Sequence, residues 1–287
     1  MSTVISSLTF DSVSAAVCGL LKQSETTLPK DTILVLQKAA QKESNPTAKT
    51  QLNAILKNIE IAEKKSVPIC QDTGIFIFFV EIGRDICLNF DLEGAIRDGC
   101  AKATQCVPLR PNVVDPLTRL NTKNNLGDGL PEINYTFVAG NSLKITAAPK
   151  GAGSENMSAL KMMTPTELSK IKEFVVQTVL DAGGRSCPPV IIGVGIGGSF
   201  NQCAKLSKEA LFEELRDVKD YEPLEKEILD AVNALGIGCM GLGGDTTALS
   251  VRIKKASCHT ASLPVAVNIQ CWANRHTSAV YTGGDKK

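Results

Sequence analysis

The chain has 287 residues, of which 43% are hydrophobic and only 5% aromatic, as suits a globular core built from aliphatic side chains. Lys and Arg number 31 against 30 Asp and Glu, which gives a formal net charge of +1. This balance leaves no basic excess for a nucleic-acid or membrane surface, so we expect neither kind of partner. No apolar run approaches the roughly 18 residues that cross a bilayer, and the N-terminus has no export signal, so we expect a cytoplasmic protein.

The first third of the sequence is dominated by apolar residues at helical spacing. The predicted helices are Thr9–Lys22, Lys30–Lys42, Pro46 to about Lys64, and Asp91–Lys102. Residues 1–50 are therefore expected to form a helical N-terminal part. Between these helices, Pro68–Gly74 has turn composition, and the apolar run from Ile75 to Ile82 has the length of a strand.

The middle of the chain begins with a long segment, residues 107–134, that is rich in proline, glycine and asparagine. A loop of this length in a compact domain is often functional. Tyr135–Ala139 and Ser142–Ala147 are predicted to pair as a hairpin. Thr164–Glu167 has the form of a capping box with Pro at N1, and predicts a helix that ends at Gly183–Gly184.

The last third alternates strands and helices without a repeat or a linker. The predicted elements are a strand at Val190–Ile196, helices at Asn201 to about Asp217 and Pro223–Leu235, and strands at Ala248–Ile253 and Val265–Ile269. Residues 282–287 are expected to be a loose tail. The pattern predicts the mixed α/β class: one helix-rich catalytic domain over residues 1–287, built around a small β-sheet.

A glycine pattern in the second half resembles a dinucleotide-binding motif. Gly193, Gly195 and Gly198 satisfy G-x-G-x-x-G between a predicted strand and a predicted helix, so an NAD-linked oxidoreductase is one hypothesis. However, the acidic residues near the required distance, Glu213 and Glu214, lie inside a predicted helix and not at the end of a second strand. A tight strand-to-helix turn is therefore favoured.

The ten cysteines are expected to be thiols, since a chain without an export signal meets a reducing compartment. No Cys-x-x-Cys pair is present, which disfavours a zinc ribbon or a ferredoxin-type site. Cys70, Cys187 and Cys271 stand apart because each lies in a loop beside a strand or turn. Cluster ligands from remote loops have no local signature, so spacing alone leaves buried inert thiols as the alternative.

Other candidate residues are single polar groups on loops. Arg110 lies between two prolines on a stiff loop, which suits bidentate binding of a carboxylate but also a surface position. Asp72 follows Cys70 in a turn, where a carboxylate usually caps the backbone. His259, between two predicted strands, and His276 are the two histidines of the chain, and either could be a surface residue.

Four segments together, in fixed order, resemble motifs of the class I iron–sulfur fumarate hydratases and the related L-tartrate dehydratases. The segments are Pro68–Gly74, Lys150–Asn156, Ser186–Pro189 and Val267–Arg275. The resemblance covers about residue 50 to residue 280. Single-chain members continue into a second domain where this chain ends, so the resemblance implies the α subunit of the two-subunit form, active only with a β subunit.

The resemblance also implies a cofactor and a site. Members of the family hold a 4Fe-4S cluster by three cysteines and leave one iron open as a Lewis acid, without electron transfer. The implied cluster ligands are Cys70, Cys187 and Cys271. The implied substrate-binding groups are Gln71, Arg110 and the Gly153 backbone. The implied catalytic residues are Asp72, as general acid or proton shuttle, and His259, as a hydrogen-bonding partner near the cluster.

The implied reaction is the reversible addition of water to a small dicarboxylate, with the base that takes the carbon-bound proton on the β subunit. Gly153–Asn156 is more similar to the fumarase group, which favours fumarate and (S)-malate and a place in the tricarboxylic acid cycle. The element Cys271–Ala273 also occurs in tartrate dehydratases, so an L-tartrate dehydratase α subunit is the alternative. An α2β2 assembly is expected. A partner subunit that has lost its chemistry is a third hypothesis.

Overall fold

The computed structural model describes residues 3–283, and the chain divides into two compact units. Unit 1 comprises Met1–Leu28, Ile61–Gly151 and Arg275–Lys287, and unit 2 comprises Pro29–Glu60 and Ala152–Asn274. Each unit has its own sheet and its own hydrophobic core. The predicted mixed α/β class is confirmed, with two sheets in place of the one that was expected. That residues 1–287 act as a single catalytic domain stays a prediction.

The described range holds eight α-helices and nine strands. Its α-helices are α1 (Phe10–Thr26), α2 (Lys30–Lys42), α3 (Pro46–Lys65), α4 (Leu92–Cys106), α5 (Ala152–Glu155), α6 (Ile171–Ala182), α7 (Phe200–Ala210) and α8 (Pro223–Asn233). Its strands are β1 (Thr3–Val4), β2 (Ile75–Gly83), β3 (Glu132–Val138), β4 (Ser142–Lys150), β5 (Ala159–Met163), β6 (Val190–Ile196), β7 (Ala248–Lys255), β8 (Leu263–Gln270) and β9 (Thr277–Thr282). None of these helices is long and apolar enough to cross a membrane.

Helix α7 is shorter than its apolar pattern predicted. It ends at Ala210, whereas the pattern extended to about Asp217. Beyond the helix, the backbone N–H of Leu215 donates to the Asp31 carboxylate at 2.8 Å, and Glu213 pairs with Arg252 at 2.9 Å. These long-range partners within unit 2 hold the segment in a non-helical path, which local spacing cannot reveal.

The sheet of unit 1 has the strand order β1-β9-β4-β2-β3 in the described range. The predicted hairpin of β3 and β4 is wrong, because β2 lies between them and pairs parallel with β3 and antiparallel with β4. Helix α4 connects β2 to β3, and a helical crossover places the next strand parallel to the first. Strand β2 is almost wholly buried, while β3 exposes Tyr135 and Phe137 as an edge strand.

Helices α1 and α4 form much of the core of unit 1. Helix α1 packs on β4 and β9, and it also packs closely on α4. The approach is tight because Gly99 of α4 has no side chain, and a Cβ there would lie 2.7 Å from Val17 Cβ. The Asp91 side chain caps α4 by accepting from the Gly94 N–H at 2.9 Å.

The sheet of unit 2 has the described order β5-β8-β6-β7, with helices on both faces. Val190, Ile192 and Val194 of β6 belong to the core shared with α6 and α8. The alternating residues Gly193 and Gly195 face α7. Strand β8 is buried along its whole length, as expected for a central strand with partners on both sides.

The glycines of the dinucleotide-like pattern serve helix–strand packing. A Cβ on Gly193 would lie 2.0 Å from the Ser207 carbonyl oxygen of α7, and one on Gly195 would lie 2.2 Å from that of Cys203. The strand-to-helix turn itself uses Gly197 and Gly198, whose φ angles are +86° and +74°. The pattern is thus explained by close backbone packing and a tight turn.

Three short strands, β1, β5 and β9, were not predicted from the sequence. Strand β9 reaches Thr282 and pairs with both β4 and β1, so the expected loose tail does not begin at residue 282. The rest of that expectation, residues 284–287, lies outside the described residues.

The variant Gly195→Ala is expected to lower the free energy of unfolding by about 1–3 kcal/mol, since the new Cβ must displace the α7 backbone. Urea denaturation followed by circular dichroism measures the change. Gly19→Ala is the matched control, because a Cβ on Gly19 in α1 meets nothing within 4 Å and Ala favours helix. Equal stability of wild type and Gly195→Ala would contradict the packing described.

Candidate active site

Unit 1 contributes the segment around Cys70, which connects α3 to β2. The Cys70 thiol is partly exposed and lies 3.5 Å from Oε1 of the exposed Gln71. The preceding residue, Ile69, is buried, and its N–H donates to the Glu25 carbonyl at 2.9 Å. The segment is thus anchored behind Cys70 while the Cys70 and Gln71 side chains reach solvent.

Asp72 lies in a turn whose conformation is fixed by Gly74. Its Oδ1 accepts a hydrogen bond from the Gly74 N–H at 2.9 Å, so the carboxylate caps the turn. Gly74 has a φ of +71°, and a Cβ there would lie 2.6 Å from the carbonyl of Lys150 at the end of β4. Glycine is needed here for two reasons, the positive φ and the close approach of β2 to β4. The turn that Gly74 forms places its N–H where it binds the Asp72 carboxylate.

Two further charged side chains of unit 1 lie near Asp72. Nη1 of Arg275 donates to Oε2 of Glu25 at 2.5 Å, and both residues are at most 1% exposed. The position that a Cβ on Gly151 would occupy is 3.0 Å from Asp72 Oδ2 and 3.7 Å from Arg275 Nη2. Sequence reasoning assigned no role to Glu25 or Arg275; Arg275 was only the last residue of a motif, and nothing local marks Glu25.

Burial dominates the electrostatics of Glu25. It raises the pKa of this carboxyl from 4.5 to about 7, Arg275 opposes the rise, and the nearby charge of Asp72 adds to it. The second carboxylate oxygen, Oε1, is buried and has no hydrogen-bond partner among residues 3–283. Glu25 is therefore a carboxylate held in a costly position by one strong ion pair.

Arg110 lies on the long loop of unit 1 and has an exposed side chain. Its backbone N–H donates to Thr73 Oγ1 at 3.0 Å, and its carbonyl accepts from Asn125 Nδ2 at 3.0 Å. Asn112 Nδ2 donates to the Gly74 carbonyl at 2.9 Å. The loop is thus fixed to the residues that follow Cys70, and Gln71, Asp72 and Arg110 belong to one ordered region.

Unit 2 contributes Cys187 and Cys271 at one end of its sheet. Cys187 follows the 3₁₀ turn Gly183–Ser186, has a left-handed φ of +53°, and precedes β6. Cys271 directly follows β8, which runs antiparallel to β6 with Ile191 opposite Gln270. The start of one strand and the end of the other therefore lie side by side, and both thiols are partly exposed there.

Gly153 lies at the same end of the unit 2 sheet. Its helix, α5, contacts both the turn before Cys187 and strand β8. Gly153 is exposed, and a Cβ there would lie 3.6 Å from the Arg185 carbonyl oxygen. Unit 2 thus brings together three of the predicted site residues, Gly153, Cys187 and Cys271.

His259 lies at the other end of that sheet. It is exposed in the loop between β7 and β8, near the turn where the Gly198 N–H donates to the Ser257 carbonyl at 3.2 Å. Its Nδ1 accepts from the Ala261 N–H at 3.1 Å, which leaves the proton of a neutral imidazole on Nε2. Within unit 2 the structure does not bring His259 to Cys187 or Cys271, and its catalytic role stays a prediction.

Exposure separates the three candidate ligands, which are partly exposed, from the buried cysteines. Burial raises the pKa of Cys203 and Cys239 to about 11 and that of Cys100 further, so these thiols resist forming the thiolate that a metal needs. Within neither unit do three or more described His, Cys, Asp or Glu side chains gather into a metal-binding group.

The comparison with known proteins identifies the class. The family described as Fumarate hydratase (Fumerase) matches residues 14–280. The chain belongs to this family, the hydro-lyases of the fumarate hydratase and tartrate dehydratase α type. The predicted resemblance is confirmed, and the oxidoreductase hypothesis, which depended on the glycine pattern alone, is dropped.

Three relatives illustrate the range of the family. The putative L(+)-tartrate dehydratase subunit alpha of Methanocaldococcus jannaschii is 49% identical, over 92% of this chain and 95% of its own. The putative fumarate hydratase class I of Geobacillus stearothermophilus is 36% identical over 89% of this chain, which spans only 52% of that protein. The L(+)-tartrate dehydratase subunit alpha of Escherichia coli K12 is 30% identical over 90% of this chain and 87% of its own.

The raised pKa of Glu25 predicts a pH dependence of stability. The folded chain binds the Glu25 proton more tightly than the unfolded chain does. Protonation of Glu25 therefore adds to the free energy of unfolding; this contribution is complete below about pH 4.5 and is lost as the pH rises through about 7. Because Glu25→Gln cannot titrate, the wild-type free energy of unfolding should fall relative to this variant across that window and then stay level.

Urea denaturation of both proteins between pH 4 and 9 measures this difference. The exposed Glu63→Gln, at the end of α3, is the control for loss of one acidic charge. A wild-type minus Glu25→Gln difference that is the same at every pH would show that Glu25 titrates as it does in the unfolded chain.

Proposed function

We propose that the chain is the α subunit of an iron–sulfur hydro-lyase that reversibly adds water to fumarate to give (S)-malate. The observation that carries the proposal is the placement of Cys187, Cys271 and Gly153 at one end of the unit 2 sheet, in a chain of the fumarate hydratase family. We assign Cys70 of unit 1 as the third thiolate ligand and the Gly153 backbone as a contact to the substrate. We assign to these cysteines a 4Fe-4S cluster.

The thiols of Cys70, Cys187 and Cys271 would each bind one iron as a thiolate. When bound, the cluster supplies one iron without a protein ligand, which acts as a Lewis acid toward the hydroxyl and a carboxylate of the substrate. The partial exposure of all three thiols supports the assignment, since a substrate has to reach the open iron.

Gln71 and Arg110 are assigned to the carboxylates of the substrate. The exposed Gln71 side chain lies next to Cys70, and the Arg110 guanidinium is exposed on a loop whose backbone is fixed by Thr73 and Asn125. A planar guanidinium presents two parallel N–H groups to a carboxylate, so a rigid loop gives both affinity and orientation. The exposed Gly153 backbone offers a further donor without a side chain to obstruct the substrate.

Asp72 is assigned as the general acid and proton shuttle for the hydroxyl that leaves as water. Its Oδ1 accepts from the Gly74 N–H, which orients the carboxyl group that we assign to give the leaving hydroxyl its proton. His259 was assigned next to the cluster by resemblance alone, and its position in unit 2 adds no support to that role. Asp72 is therefore the group on this chain to which we assign proton transfer.

The remaining groups are expected on a second chain. The M. jannaschii and E. coli relatives are named alpha subunits, which supports a β subunit as the partner. We assign to it the base that takes the carbon-bound proton, and we propose an α2β2 assembly that is active only when both chains are present. A cytoplasmic location and a step of the tricarboxylic acid cycle are proposed from the family likeness.

L(+)-tartrate is the second candidate substrate, and a specific observation favours it. The M. jannaschii relative, 49% identical, is named for tartrate dehydration. Tartrate differs from malate by one hydroxyl, so the carboxylate-binding groups of this chain serve either substrate. The two candidates belong to the same chemical class, whereas a partner subunit without chemistry would turn over neither.

Replacing any one of Cys70, Cys187 and Cys271 by Ser is expected to reduce iron and acid-labile sulfide severalfold and to abolish hydration, because a cubane needs all three thiolates. Iron and sulfide are measured after anaerobic reconstitution of the complex. Cys87→Ser and Cys258→Ser are the controls, since both thiols are exposed and outside the proposed ligand set. Unchanged iron in all three ligand variants would overturn the cluster assignment.

The reconstituted complex of both chains is expected to form malate from fumarate with a higher kcat/KM than it forms oxaloacetate from L(+)-tartrate. Each rate is measured as product formed with and without the partner chain. Faster turnover of tartrate would make the chain a tartrate dehydratase subunit, and turnover of neither would support a subunit without chemistry.

A further inference from the structure

We propose that Arg275 and Glu25 are positioning residues that hold the Asp72 carboxylate in its working orientation, and that Gly151 leaves open the space that Asp72 Oδ2 and Arg275 Nη2 both border. The inference rests on the proposed role of Asp72 in proton transfer. It concerns residues to which neither the family motifs nor the assigned site gives a role.

The space beside Gly151 is the first observation. Asp72 Oδ2 and Arg275 Nη2 both lie within 3.7 Å of the point that a Cβ on Gly151 would occupy. The 3.0 Å approach of Oδ2 to that point is tighter than an ordinary van der Waals contact, so a side chain at this position requires the Asp72 carboxylate to shift by a few tenths of an ångström. No left-handed φ is recorded at Gly151, so space and not backbone conformation explains the glycine.

The buried ion pair is the second observation. Glu25 comes from α1 and Arg275 from the segment that precedes β9, and they meet at 2.5 Å with at most 1% exposure. A buried ion pair contributes little net stability compared with apolar residues of similar volume, and Oε1 of Glu25 lacks a hydrogen-bond partner in the described part of the chain. The fold alone therefore gives a weak reason for placing these charges here.

The geometry of the guanidinium connects the two observations. Nη1 of Arg275 binds Glu25, and Nη2 faces the Gly151 space that Asp72 Oδ2 also borders. Because the guanidinium is planar and rigid, fixing one edge with Glu25 fixes the direction of the other. The Gly74 N–H binds Oδ1, and the part proposed for Arg275 is to limit the movement of Oδ2.

The first test is Gly151→Ala in the full chain with its partner. The added Cβ shifts the carboxylate, and a small displacement of a proton-transfer group lowers kcat by about tenfold to a hundredfold. We expect KM and iron content to change less than twofold, because neither substrate binding nor the cluster is touched. Gly19→Ala, with open space around its Cβ, should retain wild-type kinetics. A wild-type kcat in Gly151→Ala overturns the proposal.

The second test asks whether Glu25 acts through Asp72. Glu25→Gln, Asp72→Asn and the double variant form a cycle in kcat at constant pH. If Glu25 positions Asp72, Glu25→Gln lowers kcat in the wild-type background but has little further effect once Asp72→Asn is present. If the double variant instead loses kcat by the product of the two single losses, Glu25 acts independently of Asp72 and has a merely structural role, which would refute the proposal. Normal kcat in Asp72→Asn would instead refute the proposed role of Asp72, and this inference with it.

Discussion

The contact between the start of β2 and the end of β4 is the constraint on which the site region of unit 1 depends. At Gly74 the two backbones are so close that no Cβ fits, and the positive φ turns the chain immediately after Asp72. Asp72 is therefore held by its own turn, and Gly151, one residue beyond β4, is brought beside it. The loop that carries Arg110 is fixed to the same turn through Thr73 and Gly74.

In unit 2, the direction of the strands determines which candidate residues lie close together. Strands β6 and β8 are antiparallel neighbours, so a residue that precedes one strand and a residue that follows the other lie at the same end of the sheet. This arrangement brings Cys187 and Cys271 together although they are far apart in sequence. By the same geometry it places His259, which precedes β8, at the opposite end.

Local patterns predicted the helices well and the strand pairing poorly. Helix α2 covers the predicted range, and Thr9 and Asp91 cap α1 and α4 where polar residues precede apolar spacing. The hairpin of β3 and β4 was wrong because strand order depends on the α4 crossover, which adjacent residues do not encode. Strands β1, β5 and β9 were missed, since short segments acquire their structure only from distant partners.

The residues of the candidate site also depend on partners that are distant in sequence. The three cysteines were assigned as ligands from the family resemblance and not from their spacing. Glu25 has no local signal at all, because a buried charge in a helix is marked only by its partner, here 250 residues away. Arg275 was visible as the end of a motif, but its ion pair was not. The proposed positioning residues are thus harder to find from sequence than the residues proposed to bind a ligand directly.

Gly151 and Arg275, two of the residues in the proposed positioning of Asp72, lie where the chain passes from one unit to the other. Two of the four family-like segments, Lys150–Asn156 and Val267–Arg275, each cross from one unit to the other. The first supplies Gly151 beside Asp72 in unit 1 and Gly153 beside the Cys187 turn in unit 2. The second supplies Cys271 to unit 2 and, four residues later, Arg275 to unit 1. A sequence change in either segment can therefore affect a proposed cluster or substrate contact in unit 2 and also the groups around the proposed proton shuttle in unit 1.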